Sequence, residues 1–111
     1  MTQEIHRGEV WWVRFGPSVG GEVRKTRPAV VVSNDTANRI SNRIQVVPIT
    51  SNLSRLYKFE AYVTVQGTRS KAMADNITTV SRLKVLDRIG RLDLQELEAV
   101  EAAVKEQLSL K

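Results

Sequence analysis

The sequence predicts a mostly β fold, a small barrel closed by one C-terminal α-helix, and three observations carry that expectation. Strand-length runs rich in Val, Ile, Thr and aromatics recur between residues 9 and 81, separated by turn-forming segments. The apolar period then changes at residue 94 from that of a strand to that of a helix. At 111 residues, 41% apolar and 26% charged, the chain has the length and composition of a single domain, residues 1–111, with one core.

The first strand is expected at residues 9–15 (EVWWVRF), followed by 29–33 (AVVVS), 43–49 (RIQVVPI), 59–65 (FEAYVTV) and 76–81 (NITTVS). The connections are Gly16 to Arg27, with three glycines and Pro17, then Asn34 to Asn42, Ser51 to Lys58 and Gln66 to Lys71. The first of these is long for a compact domain, and loops of that length usually serve function. Pro48 cannot donate a ladder hydrogen bond, so an edge or a bulge is expected in the third strand. Leu94, Leu97, Val100, Val104 and Leu108 fall on one helical stripe, with Asp93 and Glu96 spaced as a capping box. Burial of that stripe at about 1.5 to 3 kcal/mol per aliphatic side chain would make it a substantial part of the core. Glu98, Glu101 and Glu106 lie on the opposite, solvated face.

Composition excludes several classes of function. The longest runs of aliphatic residues or Trp are four residues, far short of the roughly 20 needed to span a bilayer. Residues 1–8 carry Glu4, His6 and Arg7 and no apolar segment of a signal peptide, so a cytoplasmic location is expected. There is no cysteine, hence no disulfide, thiolate nucleophile or zinc–thiolate site. The lone His6, in a terminus expected to fray, leaves no basis for a Ser-His-Asp triad or a multi-histidine metal site. Lys25-Thr26 follows Arg24 where a phosphate-binding P-loop would have Gly, and the carboxylates are scattered singly, so neither nucleotide hydrolysis nor a dedicated metal centre is expected. The net charge is +5, but residues 93–111 hold five acids and two bases, which leaves +8 on residues 1–92. Such a surface attracts polyanions, either nucleic acid or an acidic protein segment.

What remains is a glycine-rich loop carrying Glu22, Arg24, Lys25 and Arg27, and Thr50-Ser51 at the end of a later strand. Taken singly these are ordinary: an exposed arginine before an edge-strand proline, a strand-end threonine, a Gly-Gly turn. Taken together with their neighbours they form ordered blocks: Arg7 to Val13 (RGEVWWV), Pro17 to Glu22 (PSVGGE), Thr26 to Asp35 (TRPAVVVSND), Val46 to Asn52 (VVPITSN) and Met73 to Ile77 (MADNI). In these blocks the chain resembles the MazF/PemK family of toxin endoribonucleases over nearly its whole length.

The resemblance implies an SH3-like barrel of about five to seven strands with a C-terminal helix, assembled as a homodimer. It implies metal-independent cleavage of single-stranded RNA by attack of a ribose 2′-hydroxyl on the adjacent phosphate, and a cognate antitoxin with an acidic, disordered segment. No cofactor is implied. The family's catalytic arginine and threonine fall on Arg27 and Thr50. A planar guanidinium and a hydroxyl suit the charge that collects on the phosphorane oxygens. A guanidinium stays protonated, so electrostatic stabilisation is the role expected of Arg27, and Glu22 is the alternative base, with a loop salt bridge as its competing role. Arg24, Lys25, Ser51, Asn52, Asn76 and Arg82 are candidate RNA contacts, and Trp11, Phe15 or Tyr57 are candidates to stack on a splayed base, against core packing. After Asp75-Asn76-Ile77 the family often has a basic residue where this chain has Thr78, so its sequence preference is expected to differ.

Two other readings have different consequences. A binding poison of the CcdB type, which shares the fold and traps DNA gyrase, depends on an apolar C-terminal end with a Trp, whereas this chain ends Ser109-Leu110-Lys111. A non-enzymatic RNA-binding module would bind the same polyanion without cutting it.

Overall fold

In the computed structural model, residues 3–16 and 25–111 are described. They form seven strands, β1 (Glu9–Phe15), β2 (Lys25–Val31), β3 (Arg43–Thr50), β4 (Glu60–Val65), β5 (Thr68–Met73), β6 (Thr78–Ser81) and β7 (Val85–Arg91). Helix α1 (Asp35–Ile40) follows β2, and α2 (Leu94–Leu108) closes the chain. Every pairing is antiparallel, in the order β4-β5-β3-β2-β1-β7, with β6 added along the first half of β3. The sheet curls into a half-barrel and is apolar on both faces. Val10, Val30, Val47, Ile49 and Val63 pack with Val100 and Ala103 of α2 on one side, while Trp11, Val13, Ala29, Val31, Ile44 and Val46 form the other.

Two prolines decide where the central ladders stop. Val32 donates its N–H to the Gln45 carbonyl, and alternation then gives the backbone groups of Val30 and Pro28 to the same edge of β2. Pro28 has no donor, and the β2–β3 ladder ends just before it, at Ala29 opposite Pro48. On its other edge β3 pairs with β6 from Arg43 to Val46 and with β5 from Ile49 to Thr50. Pro48 falls in the gap between these neighbours, so β3 is a central strand whose second partner changes at the proline. The expected edge or bulge is this change of partner.

Four elements depart from expectation. The segment from Asn34 to Asn42 contains α1, capped by the Asn34 side chain, which accepts from the Ala37 N–H. Residues 66–71 are a turn only at Gln66-Gly67, both with positive φ, as a two-residue hairpin requires; Thr68 already belongs to β5. β7 was not expected at all, because Val85-Leu86-Asp87-Arg88 lacks period-two alternation and pairs with β1 through register shifts. The strand expected from residue 76 begins at Thr78, after a 3-10 turn at Ala74–Asn76.

Helix α2 starts where the capping box places it, with the Asp93 carboxylate accepting from the Glu96 N–H at 2.8 Å. Its buried stripe is shorter than expected. Val100 is fully buried and Leu97 and Val104 pack against the core, but Leu94 is 73% and Leu108 48% exposed, since the half-barrel reaches only the middle of the helix. Glu101 is half-buried and pairs with Arg7, which also donates to the Val32 carbonyl. The N-terminal segment is therefore tied down rather than frayed, with Ile5 only 4% exposed.

Glu9 is the polar centre of this corner. It is 6% exposed, and accepts from the His6 N–H at 2.7 Å, the Trp11 indole at 3.1 Å and the Arg88 guanidinium at 2.8 Å. Burial raises its carboxyl, but the His6 amide, Arg88 and Trp11 together outweigh burial and hold it below the ordinary value of 4.5. A carboxyl lowered on folding adds stability that is fully present above its unfolded value and is lost as pH falls through the folded one. Glu9→Gln is therefore expected to lower stability at neutral pH by about 1 to 3 kcal/mol. Thermal melts should show the deficit shrinking below pH 4.5; a deficit independent of pH would show that the charge is not what stabilises.

Candidate active site

Thr50 ends β3 and Arg27 lies near the start of β2. Extending the β2–β3 register two places beyond Ala29 and Pro48 sets Arg27 opposite Thr50, at the point where Pro28 has ended the ladder and β3 has joined β5. The two residues thus flank the point where the β2–β3 ladder ends. With Trp12, Pro28, Ser51, Gln66 and Thr68 they line a cleft of about 290 Å³ whose floor includes Ile49 and Ile89.

Arg27 and Thr50 are both half-buried, anchored in strands yet reachable from solvent. The Thr50 Oγ1 accepts from the Asn52 N–H at 3.2 Å, which fixes the hydroxyl oxygen and leaves its proton available to donate. Asn52 in turn accepts the Ser54 N–H through its Oδ1 at 3.0 Å, so its side-chain NH₂ is the part left for a ligand. The four ion pairs found among the described residues do not include Arg27. A guanidinium and a hydroxyl at one mouth form a donor pair suited to a phosphodiester.

The other sequence candidates divide. Ser51 lines the same cleft, and Asn52 follows it in an exposed turn. Lys25 is exposed at the first position of β2, opposite Phe15. Asn76 belongs to a separate pocket of about 340 Å³, with Arg14, Phe15, Asp75, Thr78 and Lys84. Glu22 and Arg24 lie outside the described residues.

Arg82 is a correction. Its guanidinium donates to the Gln3, Asn38 and Ser41 carbonyls, closing the C-terminal end of α1 against the N-terminal segment, and it borders a different pocket with His6 and Arg39. A side chain held by three main-chain carbonyls is not free to join Arg27 in one groove. Trp11, at 4% exposure, takes the core-packing alternative. The aromatic at the cleft is Trp12, 39% exposed, which the alternation of the first strand would have pointed out, since it turns to the opposite face from Trp11 and Val13. Phe15 is 9% exposed at the rim of the Asn76 pocket, while Tyr57 is exposed and stacks on Phe59.

No group of three or more His, Asp or Glu side chains converges on a metal-sized site among the described residues, and none of their helices is long and apolar enough to cross a membrane.

Residues 6–108 match the model of a family described as PemK-like, MazF-like toxin of type II toxin-antitoxin system. The chain is 38% identical to endoribonuclease MazF9 of Mycobacterium tuberculosis over 96% of its own length and 98% of that protein's, and 29% identical to endoribonuclease EndoA of Bacillus subtilis over 96% of each. Among solved structures it is similar to MazF from Deinococcus radiodurans, with a TM-score of 0.85 at 24% identity over 97% of this chain and 99% of that one. It is also similar to a mycobacterial endoribonuclease in complex with its cognate antitoxin, with a TM-score of 0.81 at 21% identity over 96% and 97% of the two chains. The half-barrel, the closing helix and the full-length match agree: the chain belongs to the family of PemK-like, MazF-like toxins of type II toxin-antitoxin systems.

Proposed function

We propose that this protein is an endoribonuclease toxin that cuts single-stranded RNA, mRNA being the proposed target, by attack of a 2′-hydroxyl on the neighbouring phosphate. The observation that carries the reading is the convergence of Arg27, Thr50 and Ser51 on one cleft, in a chain whose relatives are named endoribonucleases. In-line attack moves negative charge onto the two non-bridging oxygens. Arg27 supplies forked, permanently charged donors to them, and Thr50 supplies a hydroxyl proton from an oxygen already fixed by Asn52. Glu22 is the proposed base for the 2′-proton. Ser51, Asn52, Lys25 and Arg24 contact the strand around the scissile phosphate, Asn76 reads a base in its own pocket, and no step draws on a metal.

Residues 1–111 act as one toxin domain, working in the cytoplasm as a homodimer. The excess of base over acid in residues 1–92 favours an acidic, disordered antitoxin segment as well as RNA, because both present spaced negative charge on an extended chain.

Arg27→Ala and Thr50→Val should each leave a folded protein and reduce cleavage of a labelled RNA in EDTA by on the order of 10² to 10³, the usual effect of losing one transition-state donor. A single deoxyribose 5′ of the scissile phosphate should stop cleavage, and normal products should carry a cyclic or 3′-phosphate and a 5′-hydroxyl. Activity within tenfold of wild type in both variants would reject these roles, and 5′-phosphate products would indicate attack by water.

An acidic peptide titrated into a preformed toxin–RNA complex should displace the RNA, and RNA affinity should fall steeply between low and high salt. Simultaneous binding of both ligands, or affinity indifferent to salt, would separate the two sites.

A further inference from the structure

Directly across the β3–β5 ladder from Thr50 stands Lys71. Its side chain is 7% exposed, and its ammonium lies 3.0 Å from Oε1 of Glu60, also 7% exposed. The same ammonium donates to the Arg55 carbonyl, and the same Glu60 oxygen accepts the Tyr57 N–H at 3.0 Å. The pair thus grips two backbone groups of the segment between β3 and β4. Every residue from Ser51 to Lys58 is exposed. Leu53, Leu56 and Tyr57 all face solvent, so apolar burial contributes little to holding this segment in place. The segment also starts at the cleft, with Ser51 on its wall and Asn52 bonded to Thr50.

A lysine opposite Thr50, on a strand that borders an RNA cleft, is well placed to meet phosphate. Here its charge is turned under the segment and neutralised. Stability alone does not account for the arrangement, because a buried ion pair is commonly no better than two apolar side chains of the same volume. What apolar side chains cannot do is hold a backbone carbonyl and a backbone N–H two residues apart.

We propose that Lys71 and Glu60 form a latch that positions the 51–58 segment along the RNA cleft, so that both are positioning residues for substrate binding. This rests on the ribonuclease reading above. The latch fixes where Ser51, Asn52 and Tyr57 meet the nucleotides flanking the scissile phosphate, while Thr50 itself is held by the ladder.

The test uses the full chain carrying both Lys71→Met and Glu60→Gln, which leaves no buried charge unpaired, alongside Lys71→Arg. Native-state trypsin cleavage after Arg55 and Lys58 reports the segment directly, and steady-state cleavage of an RNA oligonucleotide reports its effect. The double variant should fold, be cut by trypsin about tenfold faster, and raise KM about tenfold with kcat within about threefold, as expected when binding contacts common to ground and transition states are lost. Lys71→Arg, which keeps a cationic donor, should restore both readouts. If the double variant fails to fold, Glu60→Gln alone, which keeps a weaker acceptor for Lys71, should shift both readouts in the same directions. Unchanged trypsin cleavage, faster trypsin cleavage with unchanged KM, or a fall in kcat at constant KM would each overturn the latch. An inactive wild type would overturn the ribonuclease reading, and with it the RNA role, while the trypsin rates would still decide whether the pair holds the segment.

Discussion

Two missing backbone donors, at Pro28 and Pro48, shape the part of the fold on which the site depends. An antiparallel strand flanked on both sides normally keeps its neighbours along its whole length. Here β2 and β3 stop pairing at Ala29 and Pro48, and on its other side β3 passes from β6 to β5 across Pro48. The sheet opens where Arg27 and Thr50 would otherwise lie side by side within it. Pairing with β1 and β5 holds the two residues, yet both are half-buried and line a cleft, which gives rigid positioning together with access.

Charged groups placed under this framework fix what apolar packing leaves loose. The core is built almost entirely of Val, Ile and Ala, which pack well but do not hold irregular backbone. That task falls to buried polar side chains. Glu9 gathers the His6 amide, Trp11 and Arg88 at the β1–β7 margin, Arg82 closes the end of α1, and Lys71 with Glu60 holds the segment after Thr50. Apart from the local Glu9–Trp11 bond, each of these reaches main chain or spans elements distant in sequence. Removing any one leaves a buried group unpaired, which costs more than the bond itself contributes.

The sequence made the repeating elements legible and the polar ones opaque. β1, β3, β4 and α2 carry clear periods, and their bounds lie within a residue or so of expectation. β5 reads Thr-Arg-Ser-Lys-Ala-Met, and nothing in that string shows that Lys71 is buried, since its partner Glu60 lies eleven residues away. β7 is opaque for the same reason, since its residues look like surface and only its pairing with β1 makes it regular, whereas α1 is short but carries a local signal in its Asn34 cap. At the site, Arg27, Thr50, Ser51 and Asn52 were found through the resemblance. Trp12 was overlooked although strand alternation marks it as facing away from Trp11. For Arg82, a lone arginine in sequence does not reveal that three carbonyls hold it.

The central claim is that Arg27 and Thr50 act on one phosphate as a unit because the strand ends bring them together. A double-mutant cycle on cleavage of one RNA oligonucleotide tests this most directly, comparing Arg27→Ala, Thr50→Val and the pair. Groups that stabilise the same transition state are strongly non-additive, so the double variant should be scarcely slower than the worse single one. Losses that multiply, taking the double variant to about 10⁴ or more below wild type, would show that the two residues work independently and would contradict the account.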